Sequence, residues 1–168
     1  MTSETTLSRG EDEVVGALLA LSRAFVGVTA RTLSGLDEDV TLAQFRTLVF
    51  LVSRGPQRVV DLAQELTVTS STAVRMCNRL VRKGLVAREE RPDDRRAAWI
   101  TLTPAGRELV GEVMRRRREA LATVIADLSL TRPLAFASVL NALVEAVGEV
   151  PDAQWWQQWQ QAEVAAPS

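Results

Sequence analysis

The side chains able to do chemistry in this chain are mostly arginines. Between residues 70 and 83, Ser71, Thr72, Arg75, Asn78, Arg79 and Arg82 fall on one face of a helical repeat. Ala73, Val74, Cys77, Leu80 and Val81 fall on the other. Hydroxyls in a first helical turn, then arginine one turn on, suit base edges and phosphates. Arginine forks onto guanine, serine and threonine bond base or phosphate, and the threonine methyl packs on thymine. With Thr69 and Ser70 at its start, the helix adds an anion-favouring terminus. An ordinary amphipathic surface helix would show the same alternation. A second constellation follows at residues 88–96, Arg-Glu-Glu-Arg-Pro-Asp-Asp-Arg-Arg, which puts Arg91, Arg95 and Arg96 in a polar loop. Long cationic side chains at a loop tip are what the DNA minor groove accepts. Asp94, two residues before Arg96, can brace the loop or pair with the arginine. The bland alternative is a solvated turn with fortuitous charges.

Other chemistries are excluded by composition. The 168 residues include no histidine and one cysteine, Cys77. Zinc sites built on histidine and cysteine, histidine-based triads and an intramolecular disulfide are all ruled out. No glycine loop able to cradle a phosphate is present, so an enzyme is not expected, nor a metal or other cofactor. Cys77 lies on the apolar helix face and reads as a buried structural residue. The formal charge of −1, from 20 basic and 21 acidic groups, by itself argues against a polyanionic partner. The distribution argues the other way. Residues 54–118 hold fifteen basic groups against eight acidic, an excess of seven, and the rest of the chain is correspondingly acidic.

The elements that must position these groups are mostly helical, and with 46% hydrophobic residues the chain can build one cored domain. Residues 1–10 read as a disordered tail. A helix over 11–33 carries Val14, Leu18, Leu21, Phe25 and Val28 at heptad spacing, with Val15, Leu19, Ser22 and Val26 beside them. So wide an apolar stripe must bury two faces, and a partner subunit is the economical explanation. Helices are predicted over 41–53, capped by Thr41, over 59–66, and over 70–83, stopped by Gly84. Strands over 85–88 and 97–102 flank the loop 89–96. A fifth helix starts at Thr103-Pro104 and runs to about 128, and a sixth covers 130–148. In the fifth helix Leu109, Val113, Leu121, Val124 and Leu128 form a stripe that Arg117 interrupts. Arg117 is either a boundary arginine snorkelling to water, or a partly buried cation for an anionic ligand or an inter-subunit ion pair. The extension 149–168 is rich in tryptophan and glutamine. Trp155 and Trp159 share a helical face, with Trp156 beside them, and suit docking on the helical arm, a lid over a ligand pocket, or a patch for another protein. The longest charge-free apolar run, 133–144, is twelve residues, short of the roughly 20 that span a bilayer. No basic segment followed by an apolar run opens the chain, so a soluble cytoplasmic protein without a membrane partner is expected.

Helix, short turn, helix and two-stranded hairpin make a winged helix-turn-helix. The expected fold is mainly α with a small β-hairpin wing, the DNA-binding part lying at about 41–103, plus a helical dimerisation arm. The chain resembles the multiple-antibiotic-resistance-regulator (MarR) family of bacterial transcription factors over roughly 11–148. The resemblance is carried by Thr41-Leu42-Ala43-Gln44-Phe45-Arg46, by Asp61-Leu62-Ala63-Gln64-Glu65-Leu66, and by Arg79-Leu80-Val81-Arg82-Lys83-Gly84-Leu85-Val86. Asp94-Arg95-Arg96, followed by Leu102-Thr103-Pro104-Ala105-Gly106, completes it. It implies a homodimer on pseudo-palindromic double-stranded DNA, usually a repressor, released by a small phenolic or anionic effector. It implies that Ser71, Thr72 and Arg75 face the major groove, that Arg96 with Arg95 enters the minor groove, and that Asp94 positions the wing arginine. The family pocket lies where arm and winged domain meet, which makes Ser22, Arg23, Phe25, Arg46 and Phe50 candidate ligand residues beside Arg117. Arg46 equally suits a phosphate contact or a salt bridge. Oxidant-sensing members use an N-terminal cysteine with tyrosine partners, and this chain has no tyrosine. Two alternatives remain open at this point, a protein-interaction module that keeps the scaffold and a DNA-binding regulator without a ligand.

Overall fold

A computed structural model describes residues 7–36, 39–91 and 94–164, without the side chains of residues 91–97, 158 and 161–164. Among the described residues the chain forms seven helices and three strands. They are α1 (Arg9–Ser34), α2 (Leu42–Arg54), β1 (Gln57–Arg58), α3 (Val59–Glu65), α4 (Ser70–Arg82), β2 (Val86–Arg91), β3 (Asp94–Leu102), α5 (Pro104–Asp127), α6 (Pro133–Ala146) and α7 (Asp152–Val164).

Local chemistry sets most of the boundaries. Ser8 and Glu11 form a capping box, the Ser8 N–H donating to Glu11 Oε2 at 2.7 Å, so α1 begins at Arg9 rather than at residue 11. Ser8, Arg9 and Gly10 therefore belong to the helix start and not to a tail. Thr41 and Gln44 form a second box at the start of α2. Gly55, at φ 70°, ends α2 in a conformation that side chains rarely adopt. The turn between α3 and α4 passes through Thr67 at φ 53°, and Gly84 at φ 69° releases the chain from α4 into β2. By length and composition alone α1 could cross a membrane. Arg23 and Arg31 interrupt its apolar sequence, so it holds no long charge-free run.

The sheet is antiparallel with β3 in the centre, order β1-β3-β2. Arg58 pairs with Trp99, Arg88 with Ile100, and Arg91 with Asp94 at the hairpin end. Two corrections to the sequence reading arise here. Strand β1 was not expected, because two residues carry no alternation. The loop expected over 89–96 is largely strand, β2 running to Arg91 and β3 beginning at Asp94. A strand ladder forms from backbone groups and needs no apolar side chain at each position, so a polar segment can carry it.

The core joins α2, α3, α4, the sheet and the first half of α5, with Leu48, Leu62, Leu80, Leu85, Ile100, Val110 and Val113 fully buried. On α4 the buried stripe is Ala73, Met76, Cys77 and Leu80. Val74, expected inside, is 39% exposed, and Val81 is only half-buried. Both lie about 90° around the helix from the stripe's centre. Met76 takes the place inside, where Thr47 Oγ1 lies 3.4 Å from its sulfur. The C-terminal extension forms α7, which docks on its own chain. Trp155 is buried and its indole N–H donates to Ser53 Oγ at 3.0 Å. Arg107 lies 5.0 Å over the Trp159 ring and donates to the Trp159 carbonyl at 3.0 Å. Helix α6 begins three residues later than predicted and buries none of its side chains.

Candidate nucleic-acid interface

The first turn of α4 is a linked set of hydroxyls. Thr69 caps the helix, its Oγ1 accepting from the Thr72 N–H at 3.3 Å. The same oxygen lies 3.1 Å from Ser71 Oγ and 3.0 Å from Thr72 Oγ1. Arg75 donates from Nη2 to Thr72 Oγ1 at 3.2 Å, which ties the first outward arginine to the cap. Ser70, Ser71, Arg75, Asn78, Arg79 and Arg82 are exposed and Thr72 is half-buried, so the expected outward face is outward. Beneath it, α3 is fixed by a two-pronged ion pair, Arg58 Nε and Nη2 each 2.8 Å from an Asp61 carboxylate oxygen. That guanidinium holds the Asp61 carboxyl below the usual carboxylate range.

Further along α4 a cleft of about 570 Å³ is lined by Arg75, Asn78, Arg79, Val81, Arg82 and Arg88. Five of these six arrive on α4 and are separated by helical spacing. Arg88 comes from β2, and its Nη2 donates to Asn78 Oδ1 at 2.5 Å. In the sequence Arg88 is one of the fifteen basic groups of 54–118, with no local signal that ties it to α4. Only the pairing of β2 with β3 fixes which way it faces. Cys77 sits buried on the inner side of α4, where burial pushes its thiol up and the Arg88 charge partly offsets the rise. The wing brings Arg91, Asp94, Arg95 and Arg96 into two paired strands. Their side chains lie outside the described residues, as do Pro92 and Asp93 altogether.

The candidate ligand residues are not gathered around one cavity. Ser22, Arg23 and Arg46 are exposed, Ser22 Oγ donating to the Leu19 carbonyl at 2.8 Å. Phe25 is exposed, and Phe50 packs against the core. A second cleft, of about 440 Å³, is lined by Ala30, Leu33, Ser34, Leu36, Asp39, Val40 and Leu42, and includes none of them. Arg117 is half-buried on α5. One Nη approaches the Met114 sulfur at 3.6 Å, while its Nε is buried and bonds to nothing among the described residues. Burial holds its guanidinium below the usual arginine range. Among the described residues no group of three His, Cys, Asp or Glu side chains could hold a metal ion.

Comparison with known proteins decides the family. Residues 38–97 match the model of the MarR family. The repressor MdtR of Bacillus subtilis is 29% identical over 129 residues, 76% of this chain and 83% of that one. The crystal structure of RV1404 from Mycobacterium tuberculosis superposes with a TM-score of 0.77 at 36% identity, covering 88% of this chain and 99% of that one. The chain belongs to the MarR family. A MarR-family structure from Bacillus stearothermophilus shares the fold at 23% identity, TM-score 0.76, over 86% of this chain and 100% of that one. This MarR-family protein is a DNA-binding transcriptional regulator and not an enzyme. Its mainly helical fold with a small antiparallel wing is the one the sequence led us to expect.

Proposed function

We propose that this MarR-family regulator binds a pseudo-palindromic operator as a homodimer and represses transcription, in the cytoplasm where bacterial DNA lies. The single observation that carries the reading is the exposed cationic stripe of α4, with Arg75, Arg79 and Arg82 following a hydroxyl-capped N-terminus. In this reading Thr69, Ser70, Ser71, Thr72, Arg75, Asn78 and Arg79 contact the major groove and its phosphates. Arg91, Arg95 and Arg96 enter the minor groove, and Asp94 orients the wing arginine. Repression is supported by the name of the relative MdtR. Dimerisation is supported by the apolar side chains left exposed on α1, on the end of α5 and on α6. A small anionic or aromatic effector would act where α1, α2 and α5 meet, its carboxylate or phenolate satisfying the Arg117 Nε. Ser22, Phe25, Arg46 and Phe50 on α1 and α2 remain its candidate neighbours in the bound state.

Fluorescence anisotropy with DNA from upstream of the gene's own operon tests the reading. We expect log affinity to fall linearly with log salt, the slope set by the phosphates contacted. Arg96→Ala should weaken binding strongly. Unchanged affinity in that variant removes the wing from the interface, and a flat salt response removes the whole reading. Benzoate or salicylate, added as the effector probe, should release DNA from the wild type and not from Arg117→Ala.

A further inference from the structure

We propose that Arg88 is a positioning residue of the reading head: it holds the side-chain amide of Asn78 so that Asn78 offers DNA its N–H donors and not its oxygen. The proposal rests on the reading that α4 lies in the major groove.

Asn78 shares its exposed stripe with Ser71, Arg75 and Arg82, three to seven residues apart along α4. Arg88 reaches it from a different element. On β2, Arg88 stands opposite Ile100 of the central strand. Residues directly opposite on antiparallel strands share a face of the sheet. Ile100 is fully buried on that face, so Arg88 starts on the inner side of the wing and ends beside α4. Its charge is felt by the Cys77 thiol on the same helix. Its guanidinium emerges in the cleft and donates to Asn78 Oδ1 at 2.5 Å.

A guanidinium has donors only, so this bond fixes the orientation of the amide, with oxygen towards the wing and nitrogen away from it. An unconstrained asparagine reads adenine by accepting from N6 and donating to N7. With its oxygen engaged by Arg88, Asn78 presents Nδ2 and matches base edges that accept, namely guanine O6 and N7 or thymine O4. The surrounding Arg75, Arg79 and Arg82 favour the same acceptor-rich edges. Arg88 thus turns a residue usually suited to adenine into one that selects against it, and does so from the root of the wing.

The test is selection from a randomised DNA pool by the full-length protein, followed by sequencing of the bound fraction. Wild type, Asn78→Ala, Arg88→Met and Arg75→Ala are compared, with melting temperatures measured alongside. Arg88→Met keeps the apolar stem and removes the guanidinium. We expect guanine or thymine at one position per half-site in the wild type, and loss of preference at that position alone in Asn78→Ala. Arg88→Met should shift that position towards adenine by about tenfold, with unchanged melting. An identical motif in wild type and Arg88→Met overturns the proposal, as does a wild-type adenine at the position that Asn78→Ala affects. If Arg75→Ala also leaves the motif unchanged, α4 is not the reading helix and the underlying reading falls with it.

Discussion

Gly106, at the start of α5, makes the closest backbone approach of any glycine in the structure. A Cβ there would lie 2.0 Å from the Leu85 carbonyl oxygen and 2.9 Å from its carbon. The same junction is tied by Thr103, whose Oγ1 donates to the Gly84 carbonyl at 2.6 Å and whose N–H donates to Leu85 O at 3.2 Å. Gly106→Ala must push α5 away from the root of the wing, and we expect a loss of about 1–3 kcal/mol in urea unfolding. The residue type was visible in the sequence only as part of a family motif, since its need arises from a carbonyl some twenty positions earlier. Asp61 gives a pH-dependent prediction. Its carboxyl is held below its ordinary value by Arg58, so the ionised form is the one the fold prefers. The stabilisation is present above the unfolded-state value and disappears as pH falls through the lower folded-state value. Asp61→Asn should therefore cost stability at neutral pH, and progressively less as pH falls below the ordinary carboxylate range. Melting temperatures across that range check it, and the effect is small because the pair is partly exposed.

At the scale of elements, α7 takes the docked arrangement its tryptophans suited, against α2 and α5 of its own chain. Its tryptophans could have served as a lid or as an exposed patch. Instead Trp155, Trp156 and Trp159 pack against one another, two of the three pairs edge to face, with centroids 5.0–5.8 Å apart, and meet α2 and α5. Gly111 gives Trp159 its seat, since a Cβ there would meet the ring at 3.1 Å. Arg118 pairs with Asp152 at 3.2 Å and holds the start of the helix. We expect Trp155→Ala to destabilise the domain by about 3–5 kcal/mol. Trp155→Phe, which keeps most of the packing but loses the bond to Ser53, should cost about 0.5–1.5 kcal/mol beyond lost contact area. Chemical denaturation followed by circular dichroism separates the two. The periodicity of Trp155 and Trp159 announced a helix with an aromatic face, but not what that face covers, because nothing local encodes a contact made a hundred residues away.

For the molecule as a whole, most of the exposed large apolar side chains lie on α1, the end of α5 and α6. Leu19 is 57% exposed on α1, Leu128 57% at the end of α5, and Leu134 84% on α6. The winged half, by contrast, closes its own core. A second copy of the chain, covering all three helices, is the occupant proposed above. Leu19→Asp with Leu134→Asp should give a folded monomer in sedimentation equilibrium, with operator binding lost at concentrations that saturate the wild type. A dimer that survives both changes would move the interface elsewhere. The charge follows the same division. The basic segment 54–118 contains α4 and the wing, so the near-neutral chain concentrates its positive charge in that segment while most of its acidic groups lie outside it.

The sequence by itself determined the order of the main elements, the cap at Thr41, the stop at Gly84, the outward arginines of α4 and the likeness to one family. All of these rest on interactions within a few residues, or on composition. Tertiary structure decided what depends on distant partners. It turned the buried stripe of α4 onto Met76, extended the wing strands through polar residues and added β1 at the sheet edge. It seated α7 against Ser53, Gly111 and Arg107, and carried Arg88 across to Asn78. A helical or strand period states which residues share a face. Only packing states what that face meets, because the free energy that selects the arrangement comes from surfaces far apart in the chain.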